Sequence, residues 1–171
     1  MMRAIKQRAE ALRTIARLLP AAEVEAQRDG RSEPAAEDLV LAALALPDGA
    51  ARRALASVGC DPDELRAALA MQHADALRAT DVAGDVDGGD LPEPAEPAGV
   101  YRSTGSAQEL FQEATRRHRE AGDPLTSAWL LLVGAEREKG PLARAFVALG
   151  LDRDDVARAA ASEIHHLETG S

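Results

Sequence analysis

Ala36-Glu37-Asp38-Leu39-Val40-Leu41-Ala42-Ala43-Leu44-Ala45-Leu46 opens a stretch, running to Leu69, that lies without a gap on Ser127-Ala128-Trp129-Leu130 through Ala160 at a constant offset of 91 positions. The coinciding pairs are Leu39/Leu130, Leu41/Leu132, Gly49/Gly140, Arg53/Arg144, Ala54/Ala145, Gly59/Gly150, Asp61/Asp152, Asp63/Asp154 and Ala68/Ala159. Most of them punctuate helices rather than fill them, so chance matching of common alanines does not explain the alignment. The chain is a duplication, and reading one copy reads the other.

In the first copy, Leu39 to Leu46 is apolar on every side of a helical wheel, as in a helix surrounded by others. It should be central. Pro47-Asp48-Gly49 ends it, a short helix follows from Ala50 to Val58, and Gly59 stands where a left-handed residue closes a helix. Asp61 is then placed to cap the next helix, and Glu64, three residues on, completes a capping box for a helix running to about Ala79. The second copy repeats this punctuation: the apolar helix from Trp129 to Val133, the break at Gly140, the closing Gly150, and Asp152 with Asp155 as the cap of a last helix ending near Leu167. An amphipathic helix precedes each copy, one within Ile5 to Gln27 and one from Gly105 to Ala121, closed by Gly122-Asp123-Pro124. An interior proline costs about 3 kcal/mol, so a kink or a break is expected before Pro20, which in the second case starts a new piece.

Composition agrees with an all-α fold. Apolar residues make up 46% but aromatics only 2%, so the core must be built from Ala, Leu and Val, of which Ala and Leu are the best helix formers. A chain of 171 residues is expected to bury about 70% of its unfolded surface. The net charge is -9, but Asp81, Asp85, Asp87, Asp90, Glu93 and Glu96 carry six of those charges in a segment free of Lys and Arg, leaving -3 elsewhere. That balance gives no basic face for nucleic acid.

The same segment contains Pro92, Pro94 and Pro97 between acidic and small residues, which gives it little to bury and reads as an extended linker. Its Asp85-Val86-Asp87-Gly88-Gly89-Asp90 core lacks the glycine register and closing glutamate of a calcium loop. The organisation is therefore a first repeat over 1–80, an acidic linker over 81–100 and a second repeat over 101–171, each repeat a four-helix unit. Each unit alone is marginal in size, so packing on its partner should hide the remaining apolar faces. The lone Cys60 excludes an internal disulfide and reads as a small buried apolar residue, in the place of Leu151. The start Met1-Met2-Arg3 lacks the apolar run of a signal peptide, and no run approaches the roughly 18 residues of a membrane span; a soluble, cytoplasmic protein without membrane contact is expected. The lone His73 and His118 and the pair His165-His166 could suggest a metal, but adjacent histidines on a helix point about 100° apart and have no Cys or second pair at ligand spacing, so a solvated tail is expected instead. Arg116-Arg117-His118-Arg119, interleaved with Glu109, Glu113 and Glu120, reads as a charged outer face, the alternative being a partner contact. Neither a Gly-x-Ser-x-Gly elbow nor a cysteine beside a plausible base occurs, so neither an enzyme nor a cofactor is expected.

The stretch Ala36 to Leu44, followed by Asp48 to Leu55 and by Val58-Gly59-Cys60-Asp61, resembles the repeat of the Clp amino-terminal domain. That repeat typically reads Thr-Glu-His, a Leu-rich helix, an acidic-Gly break, a helix ending Leu-Gly-Val and a capped helix. Thr104, Ala107, Leu110 and Phe111 resemble the family's opening helix. The resemblance covers nearly the whole chain. It implies an eight-helix pseudo-twofold bundle of the kind that fronts ClpA/ClpC-type unfoldases, where it receives substrates and adaptors and, in ClpC relatives, binds phosphorylated arginine. The chain lacks a Gly-x-x-x-x-Gly-Lys-Ser/Thr phosphate loop, and a free-standing receptor domain is the expectation.

The family's phosphoarginine sites use the glutamate of Thr-Glu-His in each repeat: its carboxylate pairs with the guanidinium, and free amides at the helix start suit the phosphate. Glu37, between Ala36 and Asp38, matches that glutamate. In the second repeat Ala128 stands in its place, Trp129 replaces the histidine, and Ser127 keeps a hydroxyl able to cap the helix. At most one of two sites is expected to survive. Two readings of Glu37 stand, this ligand role and a first-turn glutamate that complements the helix dipole. Some relatives also bind cyclic peptides through aromatics near the first helix of each half. Tyr101 is the one aromatic near that place, and its other reading is an anchor for the linker end. The expected function is a non-catalytic binding module for client proteins or peptide-like small molecules, delivering them to a Clp protease or competing with the unfoldase for them. A structural accessory docked on a Clp protease assembly is the first alternative. A helical transcription regulator is the second, and it lacks a basic recognition helix.

Overall fold

The computed structural model describes residues 1–83 and 103–169. The extended linker expected from 84 to 100 and the role expected of Tyr101 fall outside those residues. Eight helices, and no strand among the described residues, make up the fold: α1 (Met2–Arg28), α2 (Ala36–Leu44), α3 (Ala50–Ser57), α4 (Pro62–Ala83), α5 (Gly105–Ala121), α6 (Ser127–Glu136), α7 (Pro141–Ala148) and α8 (Arg153–Thr169).

The duplicated punctuation produces duplicated geometry. α3 ends with Gly59 at φ +80°, its N–H donating to Ala56 O while Cys60 N–H donates to Leu55 O. α7 ends with Gly150 at φ +70°, and there Gly150 N–H donates to Val147 O and Leu151 N–H to Phe146 O. Only glycine enters this left-handed region without a side-chain penalty, and the two bonds close the last helical carbonyls. Asp61 Oδ1 accepts from Asp63 N–H at 2.8 Å and Glu64 N–H at 2.9 Å, while Glu64 Oε2 accepts from Asp61 N–H at 2.9 Å, a complete capping box. The second copy keeps half of it: Asp152 Oδ1 accepts from Asp154 N–H at 2.8 Å, but Asp155 pairs with Arg158 instead.

Two boundaries differ from the expected ones. α1 runs unbroken through Pro20. Pro20 and the carbonyl-bearing Ala16 are exposed, so water can take the orphaned carbonyl, while Leu18 and Ala22 on either side share one fully buried face. Burial on both flanks outweighs the local cost. α4 continues to Ala83, so residues 81 to 83, assigned to the linker by composition, are helical.

All nine residues of α2 are buried, as are eight of the ten in α6. The two apolar helices pack on one another at the centre, and Gly134 marks the close approach: a Cβ there would stand 2.7 Å from Val40 Cγ2 and 3.0 Å from Leu142 Cδ2. Around this pair the copies exchange their last helices. α8 packs on α3 as well as on α6, and α4 packs on α7. One cluster of buried side chains results, taking Leu55 and Leu65 from the first copy and Phe146 and Val156 from the second. A unit of some 60 residues buries only about 60% of its unfolded surface, and the exchange completes each core with the other's helix.

Candidate functional site

α2 begins where α1, α4 and α5 converge. The turn after α1 brings Arg31 back toward the bundle, its N–H donating to Ala26 O at 2.9 Å. Arg31 Nη1 and Nη2 donate to Asp38 Oδ2 and Oδ1, each at 2.7 Å, the two-pronged match of guanidinium and carboxylate. Asp38, which is 0% exposed, also accepts from Ala35 N–H at 2.7 Å, so one buried side chain ties the turn to the helix start. Burial raises the Asp38 carboxyl above its ordinary value, and Arg31 offsets this only in part. Burial works to lower the Arg31 guanidinium, but the hydrogen bonds and charge of Asp38 outweigh it and raise it.

Glu37 lies beside this pair and is 4% exposed. Its Oε1 is 2.8 Å from His73 Nε2, and His73 Nδ1 is 2.8 Å from Asp29 Oδ2. The imidazole thus bridges two carboxylates and fastens α4 to the α1–α2 turn. Ala36 is buried as well, and its N–H donates to Ser106 Oγ of α5 at 3.2 Å. The carboxylate that the family resemblance gives to a guanidinium is bonded to His73, and the first helix amide is bonded to a hydroxyl. His73, a lone histidine in the sequence, is therefore held between two carboxylates. The legible signal was its spacing: Leu65, Leu69 and His73 recur every four residues, and the two leucines are fully buried on that face of α4.

The start of α6 is built differently. Ser127 is 0% exposed, its N–H donates to Asp48 Oδ2 at 3.0 Å, and its hydroxyl donates to Asp48 Oδ1. Asp48 Oδ1 also accepts from Ala50 N–H at 2.9 Å, and Ser127 Oγ accepts from Ala51 N–H at 2.9 Å. One aspartate of the first copy thus satisfies the starts of α3 and α6 together. Thr126, not Ser127, occupies the N-cap position of α6, so the Ser127 hydroxyl serves the neighbouring helix instead of its own. Ala128 is fully buried. Trp129 is 7% exposed, and its indole N–H, like the Thr126 hydroxyl, is buried without a hydrogen-bond partner. Ala36, Glu37 and Asp38 therefore form one group and Ser127 and Trp129 a second, each at the first turn of a central helix. Asp48, read in the sequence as part of a helix stop, has no local signal for its cross-copy role.

Elsewhere two arginines of the basic run of α5 are paired with carboxylates. Arg116 Nη2 lies 2.6 Å from Glu113 and Nη1 2.7 Å from Glu120, while Arg117 Nε donates to Glu113 at 2.6 Å. The hydrogen bonds from Arg116 and Arg117 hold the Glu113 carboxyl down at about 2.

No helix among the described residues is long and apolar enough to cross a membrane. The model of the Clp repeat (R) N-terminal domain family matches residues 13–145, from within α1 to within α7. No curated protein matches the chain. The match covers the first copy and reaches into the second as far as α7, and the eight helices agree with the eight-helix fold of the domain: the chain belongs to the Clp repeat N-terminal domain family, a non-catalytic domain of Clp ATPases.

Proposed function

We propose that the chain is a non-catalytic receptor of protein segments in a Clp system, taking clients or adaptors and handing them to, or withholding them from, an unfoldase and its protease. The family match over residues 13–145 carries this reading. On it, residues 1–80 and 101–171 act as unequal halves on either side of the acidic segment, and the half that keeps the family's glutamate is the one that meets an arginine-phosphorylated client.

Glu37 is the residue we assign to that contact. Its carboxylate already accepts a planar nitrogen donor, His73 Nε2, at 2.8 Å. A ligand guanidinium makes the same kind of bond and replaces one N–H with two. Binding through Glu37 therefore displaces His73, and the second half has no counterpart, because Asp48 already fills the start of α6. Affinity capture from native extract, followed by peptide identification, tests the receptor role; retention of neither Clp subunits nor client proteins overturns it. Calorimetry with free phosphoarginine tests the site. Glu37→Gln is expected to abolish binding and His73→Ala to strengthen it, while heat unchanged by Glu37→Gln removes Glu37 from the assignment.

A further inference from the structure

The exchange of last helices creates two equivalent contacts, α3 with α8 and α4 with α7, and a groove opens at the second. The 91-residue offset pairs Arg53 with Arg144, Gln72 with Glu163 and Asp48 with Lys139. At the α3–α8 contact Arg53 Nε donates to Glu163 Oε2 at 3.0 Å, and the guanidinium charge is compensated. In the α4–α7 groove the same contact is neutral: Arg144 Nε donates to the amide oxygen of Gln72 at 3.2 Å, and no carboxylate of the described residues pairs with Arg144. Lys139 stands beside it where the first copy has Asp48, and Arg153 lines the groove with its Nη1 on the Arg137 carbonyl at 2.9 Å. Three cations thus face one anion, Glu138, around a groove of about 820 Å³, on a chain whose net charge is -9. Ala143 and Val147 give it an apolar side, and Val147 is 75% exposed.

We propose that the α4–α7 groove binds an acidic, leucine-rich segment of a partner protein, with a ligand carboxylate on Arg144 in the position that Glu163 takes on Arg53, and an apolar side chain on Ala143 and Val147. The α3–α8 contact displays that pairing within the same molecule. A polyanionic nucleic acid fits less well, since it needs many cations to release its counterions, whereas a short acidic peptide needs few. This inference rests on the reading of the chain as a protein receptor but uses a surface separate from Glu37, so a protein that captures clients yet ignores acidic peptide overturns this inference alone.

The test is fluorescence anisotropy of the whole chain with a fluorescein-labelled ten-residue peptide of Asp, Glu and Leu, beside the same peptide with Lys for each acid and a ten-nucleotide oligothymidylate. Saturable binding of the acidic peptide alone, weakened by salt, is expected. Gln72→Glu gives Arg144 an internal carboxylate, as Glu163 gives Arg53, and is expected to weaken binding about tenfold, the loss of one charge-assisted contact. Arg144→Gln should do the same, Arg53→Gln should change nothing, and the thermal transition of each variant reports that it is folded. Absence of saturable binding, equal binding of the lysine peptide or of the oligonucleotide, or a Gln72→Glu protein that is folded and binds as before overturns the proposal.

Discussion

Gly134→Ala sets two known effects against each other at the centre of the bundle. Gly134 lies inside α6, where replacing glycine by alanine in an exposed helix gains about 1 kcal/mol. Here the added Cβ would meet Val40 Cγ2 at 2.7 Å and Leu142 Cδ2 at 3.0 Å, with Leu110 Cδ1 at 3.7 Å. Val40 is β-branched, 0% exposed and set in a helix whose every residue is buried, so it has neither a spare rotamer nor room to withdraw. Overpacking of this kind costs about 1–3 kcal/mol. With the helix gain subtracted, the variant should lose up to about 2 kcal/mol, which for a chain of this size lowers the melting midpoint by up to about 6 °C. Urea and thermal unfolding followed by circular dichroism measure it. Gly105→Ala at the first turn of α5, where a Cβ meets nothing within 4 Å, is the control and should be neutral or slightly stabilising. Adding Val40→Ala to Gly134→Ala should cost less than the sum of the two single losses, because removing Val40 Cγ2 makes room for the added Cβ. A Gly134→Ala protein more stable than the parent would refute the close approach of α2 and α6.

Removing Asp48 by Asp48→Ala strips the caps of α3 and α6 at once and should cost about 2–3 kcal/mol in urea unfolding, more than a single cap is worth. Arg31→Met leaves Asp38 buried and unpaired, an expected loss of about 3–5 kcal/mol that Arg31→Met with Asp38→Leu should largely recover. Because burial raises the Asp38 carboxyl above its ordinary 3.8, its contribution to stability is full below that pH and declines as pH rises through the folded-state value, a slope that Asp38→Asn should remove from the stability-pH curve. Burial, with Glu64 and Asp61 nearby, pushes the Cys60 thiol up to about 11, so at pH 8 the native protein should resist alkylation that the urea-unfolded chain accepts readily.

Sequence by itself determined the helices and their stops. The offset of 91, the glycines at 59 and 150 and the capping Asp61 are short-range instructions, each decided within one turn of chain, and they hold in three dimensions because local backbone geometry needs no distant partner. The all-apolar runs that became α2 and α6 likewise announced burial on every side. Tertiary structure decided what those helices meet. It overrode the proline signal at Pro20, because buried Leu18 and Ala22 anchor both sides of it. It exchanged α4 and α8 between the copies, it carried Asp48 to a helix start 79 residues away, and it set His73 between Asp29 and Glu37. None of those pairings has a sequence period, since an ion pair or cap across the bundle depends on where packing delivers two side chains. The family's glutamate could be found by position, but whether its carboxylate is open or already bonded is settled only by the helix that packs over it.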